Sequence, residues 1–502
     1  MDLMEQYLER PKAPGNLREA VGLVHALWDL FNGCRHLVLE LRDTITQLEG
    51  IIDSLKANST NSSAPPRQDR LSGKRDKLFK KKPSGKKRGA QEGHARNVRP
   101  QVPESDVDEV QRHFPDVHCP CGGQLEINPE PQSRHQIFDL PKITYTVTEH
   151  QRFAGVCPCC NQKVIARLPQ EVPTGQMGPG LIAWIALMNG HFRLSTRNIQ
   201  SLLEMQWGLK FSAGAISESQ KPVADWLEPL HQQVGEIIRQ APVAHADETT
   251  HFQGKTRQWL WVLCTTELAF FMVHVSRGMK AASELLGCFS GILITDRHGG
   301  YNHYPAESRQ ICWAHVIRNL ERITGRKGDP GDTGRWLVRC ARIIIQLEHR
   351  WRKSGYQSSL YRKRIEYARL HFRLTLEYGA EKHKGKRAAN VCQKLLAEEP
   401  MLWRFLQSPG LALTNNHAER AIRPYVIWRK TSFFSQSEQG DLFRARVMTV
   451  SESCRRLDLC AYTLLREVCE QGIRKQPITI RLPIDHLYQI PPSHRLEYLQ
   501  AA

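Results

Sequence analysis

Between residues 241 and 296 the chain leaves helical spacing for a run of strand signals, and this stretch constrains the fold more than any other. "APVAHAD", "QWLWVLCTT" and "AFFMVHVSR" are apolar, β-branched or aromatic segments joined by short turns. "MKAASELLGCF" has helical spacing, and "GILITD" is a short apolar run of the kind buried in a sheet interior. Asp247 closes the first run and Asp296 the fourth, while Glu419 in "TNNHAERAIRP" falls in a helical segment. Two strand ends and a helix can bring three carboxylates onto one pair of divalent cations. The competing reading of any acid is a surface carboxylate, the usual fate of Asp and Glu. That reading suits Asp296 poorly, at the end of an apolar strand. Glu248 rivals Asp247, because strand alternation allows only one of them to face the metals.

Strand, strand, strand, helix, strand is the order of an RNase H-like sheet, in which the first and fourth strands lie side by side and would set Asp247 next to Asp296. "RQICWAHV" supplies a fifth short strand, and the pattern is then helical until Glu419. The expected fold class is multidomain α+β, with an RNase H-like α/β catalytic core over 241–450 that carries a basic helical insertion at about 318–410. Residues 451–502 form a C-terminal region.

The N-terminal part reads as a delivery apparatus. Leu27, Leu30, Cys34, Leu37, Leu41, Thr44, Leu48, Ile51 and Leu55 hold an alternating three-four spacing, the seam of a coiled-coil dimerisation helix over 17–57. "ANSTNSSAPPRQDR" then stops the helix. The chain carries a formal charge of +19, and between Arg67 and Arg99 thirteen Lys or Arg stand against Asp69, Asp76 and Glu92. A surplus so concentrated points to a polyanion, through counterion release, rather than to a solubilising surface. Residues 58–103 are therefore expected to be a basic linker, unstructured until it meets DNA, with Lys80, Lys81, Lys82, Lys86, Lys87 and Arg88 at its centre. "MDLMEQYLERPKAPG" lacks the basic-then-apolar pattern of a signal peptide and no long apolar run follows, so a cytoplasmic protein, on the nucleoid when acting, is expected.

In that compartment cysteines are reduced, and metal binding is the main reason to cluster them. Cys157 and Cys160 form a Cys-x-x-Cys, and "HCPCGG" offers either His118 with Cys121 or Cys119 with Cys121 as the other half. A zinc-ribbon-like module over 104–170 with a structural Zn²⁺ follows. Residues 178–235 resemble a helix-turn-helix, with Ser195 capping one helix, Gly208 breaking it, and Ser212 capping a second that turns Ile216 inward and Ser217, Glu218 and Gln220 outward.

"HADET", "TDRHGGYNHY", "CWAHVIRNL" and above all "TNNHAERAIRPYVIWRKTSFFSQSEQG" resemble the transposases of the insertion-sequence-66 (IS66) family, and the resemblance covers almost the whole chain in family order. The Asn-Asn-x-x-Glu-Arg-x-x-Arg motif at Asn415, Asn416, Glu419, Arg420 and Arg423 is its most specific part. It implies that Glu419 is the third catalytic acid. Thr414 stands where many members have Asp, and Arg297-His298-Gly299-Gly300 follows the second acid. This looks like the branch whose elements encode the transposase alone, which leaves open whether the accessory proteins of other members act with it.

The expected activity is that of a DDE transposase, which frees 3′-hydroxyls at element ends and joins them to target DNA. Asp247 would bridge two Mg²⁺ (or Mn²⁺) ions, with Asp296 on one and Glu419 on the other. Arg420, Arg423, Arg429 and Lys430 would grip the DNA backbone, and Asn415 and Asn416 would cap the Glu419 helix. His315 and Arg318 either contact phosphate or the metal site, or form an ordinary helix-end pair. The partners implied are double-stranded DNA, as terminal inverted repeats and target, and further copies of the chain in a homodimer or larger synaptic assembly; no membrane is implied. The alternative function is a DNA-binding protein of the same descent whose chemistry is lost.

Overall fold

The computed structural model describes residues 101–488 apart from 117, 119, 125, 141–143 and 174, together with 22, 31 and 33. The rest of the helix expected over 17–57, the basic stretch with Lys80, Lys81, Lys82, Lys86, Lys87 and Arg88, and Cys119 lie outside the described residues.

A hairpin of β1 (Ala154–Val156) and β2 (Lys163–Ile165) comes first and is antiparallel. Four helices follow: α1 (Pro179–Gly190), α2 (Thr196–Trp207), α3 (Ala213–Trp226) and α4 (Glu228–Ile238). The expected punctuation is present. Ser195 accepts from the Asn198 amide, Ser212 from the Ala215 amide, and Gly208 ends α2 with a left-handed φ of 69°. Ile216 is fully buried, and Ser217 and Glu218 are exposed. Gln220, expected to face outward, is instead buried. It lies four residues from Ile216 and so shares its inward face. That face packs on the core: Arg446 Nη1 donates to the Ala224 carbonyl at 2.9 Å.

The main sheet comprises β3 (Val243–Gln253), β4 (Thr256–Cys264), β5 (Ala269–His274), β6 (Ile292–Thr295) and β7 (Arg309–Ile311), with α5 (Met279–Leu286) between β5 and β6. Its order is β5-β4-β3-β6-β7. The first three strands are antiparallel neighbours, and β6 and β7 run parallel to β3. The expected adjacency of β3 and β6 is thus observed, in the register Val243↔Ile292, Ala244↔Leu293, His245↔Ile294. The fifth strand ends at Ile311, and "WAHV" already belongs to a helix.

That helix, α6 (Trp313–Thr324), opens a helical lobe of α7 (Asp329–Lys353), α8 (Ser359–Lys382), α9 (Arg387–Ala397) and the single turns α10 (Glu399–Leu402) and α11 (Arg404–Gln407). The lobe has its own core, in which Trp313 meets Trp403 and Phe372 edge-on at 5.1 and 5.5 Å, and it joins the sheet through Ile294 and Ile311. The chain returns as α12 (Asn416–Thr431), α13 (Glu438–Arg456) and α14 (Ala461–Ile473). A second core, continuous from Met177 to Tyr488, joins α1–α4, the sheet and α12–α14. α13 covers the β5 edge: Thr449 Oγ1 and Ser453 Oγ accept from the Phe271 and Ala269 amides, which would otherwise be unpaired. Among the described residues no helix is long and apolar enough to cross a membrane.

Candidate active site

The parallel register places the first two acids. The last β3–β6 pair is His245↔Ile294, and two residues further along each strand come Asp247 and Asp296. Glu419 arrives from α12, in its first turn. The Asp247 carboxyl is held well above the usual carboxylate range, first by burial and then by the charges of Glu248, Asp296 and Glu419. Asp296 and Glu419, the latter 172 positions away in sequence, are thus both near enough to act on Asp247.

Asp247 and Glu248 point to different surroundings. Asp247 Oδ1 accepts only its neighbour's amide, from Glu248 at 2.9 Å. Glu248 is buried and committed: Arg277 donates to Oε1 through Nε at 3.0 Å and Nη2 at 2.8 Å, and Tyr301 O–H donates to Oε2 at 3.0 Å. Burial and the Asp296 charge push the Glu248 carboxyl up to about 7 against the pull of Arg277. Of the two carboxylates, Glu248 is thus engaged by side chains and Asp247 is not.

The loop after β6 is shaped around Asp296, whose Oδ1 accepts the His298 amide at 2.8 Å. Arg309, buried beneath it, donates to Thr295 Oγ1 at 3.0 Å and to the Asp296 carbonyl at 2.9 Å. Gly300 is required by crowding, since a Cβ there would lie 2.9 Å from His298 Nδ1.

At the third acid two buried atoms lack hydrogen-bond partners: Glu419 Oε1 and His315 Nδ1, which face each other at 3.7 Å. Arg318 Nη1 donates to His315 Nε2 at 3.1 Å, and its Nη2 stands 3.8 Å from Glu419 Oε1. Burial first, then the Arg318 charge, depresses the His315 pKa, while Asp296 and Glu419 oppose this. His315 and Arg318 thus belong to the acid cluster. Cys312 Sγ lies within 4.8 Å of ligand atoms of both His315 and Glu419. It already accepts the Asn415 amide at 3.2 Å, and burial pushes its thiol up to about 11. The unpartnered donors here are thus Glu419 Oε1 and His315 Nδ1. Clustered carboxylates, one with an orphaned oxygen, fit a hard divalent cation.

Asn415 departs from expectation. It occupies the N-cap position of α12 but makes no side-chain cap bond, and Asn416 lies within the helix. Its fully buried amide instead donates to the Ala246 carbonyl at 2.8 Å and accepts from His245 Nδ1 at 3.1 Å. A buried amide must find partners, and the strand supplies them. The side chain ties the Glu419 helix to the residue before Asp247. Arg429 also departs: it is half-buried and donates to Thr249 Oγ1 and the Thr250 carbonyl, which fastens α12 to β3 rather than facing DNA. Arg420, Arg423 and Lys430 are exposed. Arg277, Tyr301, Arg309 and the stapling role of Asn415 were not foreseen, since no local pattern links them to the acids.

In the cysteine module the β1–β2 turn holds Cys157 and Cys160, and the backbone amides of Cys160 and Cys159 point at the Cys157 thiol and lower its pKa. Amides aimed at sulfur stabilise a thiolate, the form that binds zinc. Cys121 lies in a turn bracketed by the His118↔Gln124 bridge. Among the described residues no three of these ligand atoms converge.

Comparison with known proteins agrees with this geometry. Residues 174–441, more than half of the chain, match the family described as "Transposase IS66 family". Residues 116–161 match the zinc-finger binding domain of transposase IS66, and residues 9–100 match a family of unknown function. Two similar proteins of Sinorhizobium fredii are the uncharacterized proteins y4qI and y4jD. The first is 25% identical over 392 residues, covering 70% of this chain and 71% of the relative. The second is 23% identical over 381 residues, covering 70% and 73%.

Proposed function

Because the chain belongs to the IS66 transposase family, we propose that it cuts DNA at the ends of its element and joins the freed 3′-hydroxyls to target DNA, with Asp247, Asp296 and Glu419 as the catalytic acids. The observation that supports this reading is that β3 and β6 lie side by side in parallel register, which sets Asp247 and Asp296 at neighbouring strand ends, and that Glu419 on α12 comes near enough for its charge to act on Asp247. The strand order β5-β4-β3-β6-β7, with β6 parallel to β3, supports reading the sheet as RNase H-like, with its first and fourth strands carrying the first two acids. Membership in a transposase family implies DNA binding, and the zinc-finger match supports a structural Zn²⁺, for which Cys157, Cys160, Cys121 and one of His118 and Cys119 are the proposed ligands.

Asp247, Asp296 and Glu419 would hold divalent metal, Mg²⁺ or Mn²⁺, which supplies charge to activate a hydroxyl and to stabilise the leaving oxygen. The chain's own residues do the rest. Arg309 and the His298 amide hold Asp296 in place. Asn415 sets the start of α12 against β3, and with it the position of Glu419. Arg318 and His315 stand beside Glu419, where a phosphate oxygen would meet a cationic guanidinium. Arg420, Arg423 and Lys430 are exposed for backbone contacts. The helix over 17–57 would pair copies of the chain, and the basic stretch from Lys80 to Arg88 would bring DNA to them.

The test is strand transfer of a labelled element end with Mg²⁺. Glu419→Gln should lower product roughly a thousandfold or more; equal product from variant and wild type would refute the assignment.

A further inference from the structure

The lobe helix α8 is apolar on two opposite sides. Ile365, Phe372 and Leu376 are buried in the lobe core, and Gly379 packs so closely that a Cβ there would lie 2.8 Å from Cys392 Sγ. That side docks the helix on its own fold. On the far side Leu360, Tyr367, Leu370, Leu374 and Tyr378 are 54, 65, 52, 51 and 49% exposed. Apolar residues scattered singly over a surface need no explanation. These are not scattered: among the described residues no other helix carries more than two exposed large apolar side chains.

Their spacing repeats. Leu360, Tyr367 and Leu374 follow one another at seven residues, with Leu370 three residues after Tyr367 and Tyr378 four after Leu374. This is the seam by which helices pair, on a helix of 24 residues or roughly 36 Å. A helix that used only its docked side would carry polar residues here.

The charges beside the seam select what covers it. Lys363 and Arg364 stand at its N-terminal half and Glu377 and Glu381 at its C-terminal half, all four exposed. Glu377 pairs with Arg373 of its own helix at 3.0 Å, whereas Lys363, Arg364 and Glu381 have no ion pair among the described residues. A second copy of the same helix, laid antiparallel, matches this pattern. The basic end of each helix then faces the acidic end of the other, and the seam meets itself about a two-fold axis near Leu370. Parallel pairing would set like charges together, which opposes that register.

We propose that α8 is an interface between copies of this chain, paired antiparallel through Leu360, Tyr367, Leu370, Leu374 and Tyr378. This contact is separate from the helix over 17–57, and it stands whether or not the acids cut DNA. The axis fixes the register: Leu360 lies beside Tyr378 of the second copy, and the two Leu360 residues stand roughly 27 Å apart at helical rise.

The experiment is disulfide trapping in the full-length chain with diamide, the linked peptides being identified by mass spectrometry. Leu370→Cys should join position 370 of one copy to position 370 of another, since facing Cα atoms of packed helices come within the roughly 7 Å that a disulfide spans. Leu360→Cys mixed with Tyr378→Cys should give a link between the two variants, and Leu360→Cys alone should not link to itself. Adding Leu374→Glu to both members of the mixture should cut that link at least tenfold, with an unchanged thermal midpoint because the position is exposed. Absence of a link at 370, or a Leu360→Cys self-link as abundant as the mixed one, would overturn the proposal. So would a link from position 370 to the native Cys34, which assigns the seam to the chain's own N-terminal segment.

Discussion

Two buried polar clusters lie four residues apart on β3, and both join that strand to helices from the C-terminal half. Around His251 the groups satisfy one another: the imidazole contacts Tyr425 O–H through Nδ1 and donates through Nε2 to Asp441 Oδ1 at 2.6 Å, and Ser435 O–H donates to the same carboxylate. None of these four side chains has a buried nitrogen or oxygen without a partner. Around Asp247 the groups oppose one another. The charges of Glu248, Asp296 and Glu419 raise the proton affinity of Asp247, and Glu419 Oε1 and His315 Nδ1 face across 3.7 Å with no hydrogen bond. A complete network holds a fold together, whereas an incomplete one of like charges costs stability and persists where a ligand completes it. The first cluster is therefore structural, and the second is the one proposed to bind metal.

Substitution should separate the two. Glu419→Gln removes one charge from a repulsive set, so the roughly thousandfold loss of strand transfer should come with a urea midpoint no lower than that of wild type. His251→Ala should do the reverse. It strands Asp441 in the interior and should cost about 3 kcal/mol in urea unfolding, while the folded fraction retains Mn²⁺ binding by calorimetry. If His251→Ala abolishes metal binding in folded protein, the clusters form one functional unit and the contrast fails.

Glu248 lies between the two cases, because it is fully hydrogen-bonded yet raised to about 7 from an ordinary 4.5. Between those values the unfolded chain releases a proton that the folded chain keeps, so stability falls as pH rises from about 4.5 to 7, by up to about 3 kcal/mol. Glu248→Gln keeps the shape without the titration. Its unfolding free energy should vary less between pH 5 and pH 7 than that of wild type; an equal slope would move the pH dependence elsewhere.

Asn415 belongs to both descriptions, being fully satisfied while it positions a ligand. Asn415→Ala should cost about 2 kcal/mol and also weaken Mn²⁺ binding, since α12 loses its tie to the strand that carries Asp247. A variant destabilised by that amount but with wild-type metal affinity would reduce Asn415 to a packing role.

The sequence alone determined what depends on local pattern. The strands and helix between 241 and 296, the Ser195 and Ser212 caps and the Gly208 stop were legible because periodicity and capping act over a few residues. The Gln220 expectation failed because a residue four positions from Ile216 shares its inward face, and the Asn415 expectation because it assumed a local cap where burial against β3 supplied other partners. The choice between Asp247 and Glu248 stayed open for the same reason: alternation says that the two differ, and only Arg277 and Tyr301, 29 and 53 residues away, show which one is already engaged. Residue types and their spacing are local properties, but hydrogen-bond satisfaction and the summation of charge depend on distance in space, and the tertiary structure alone decides that.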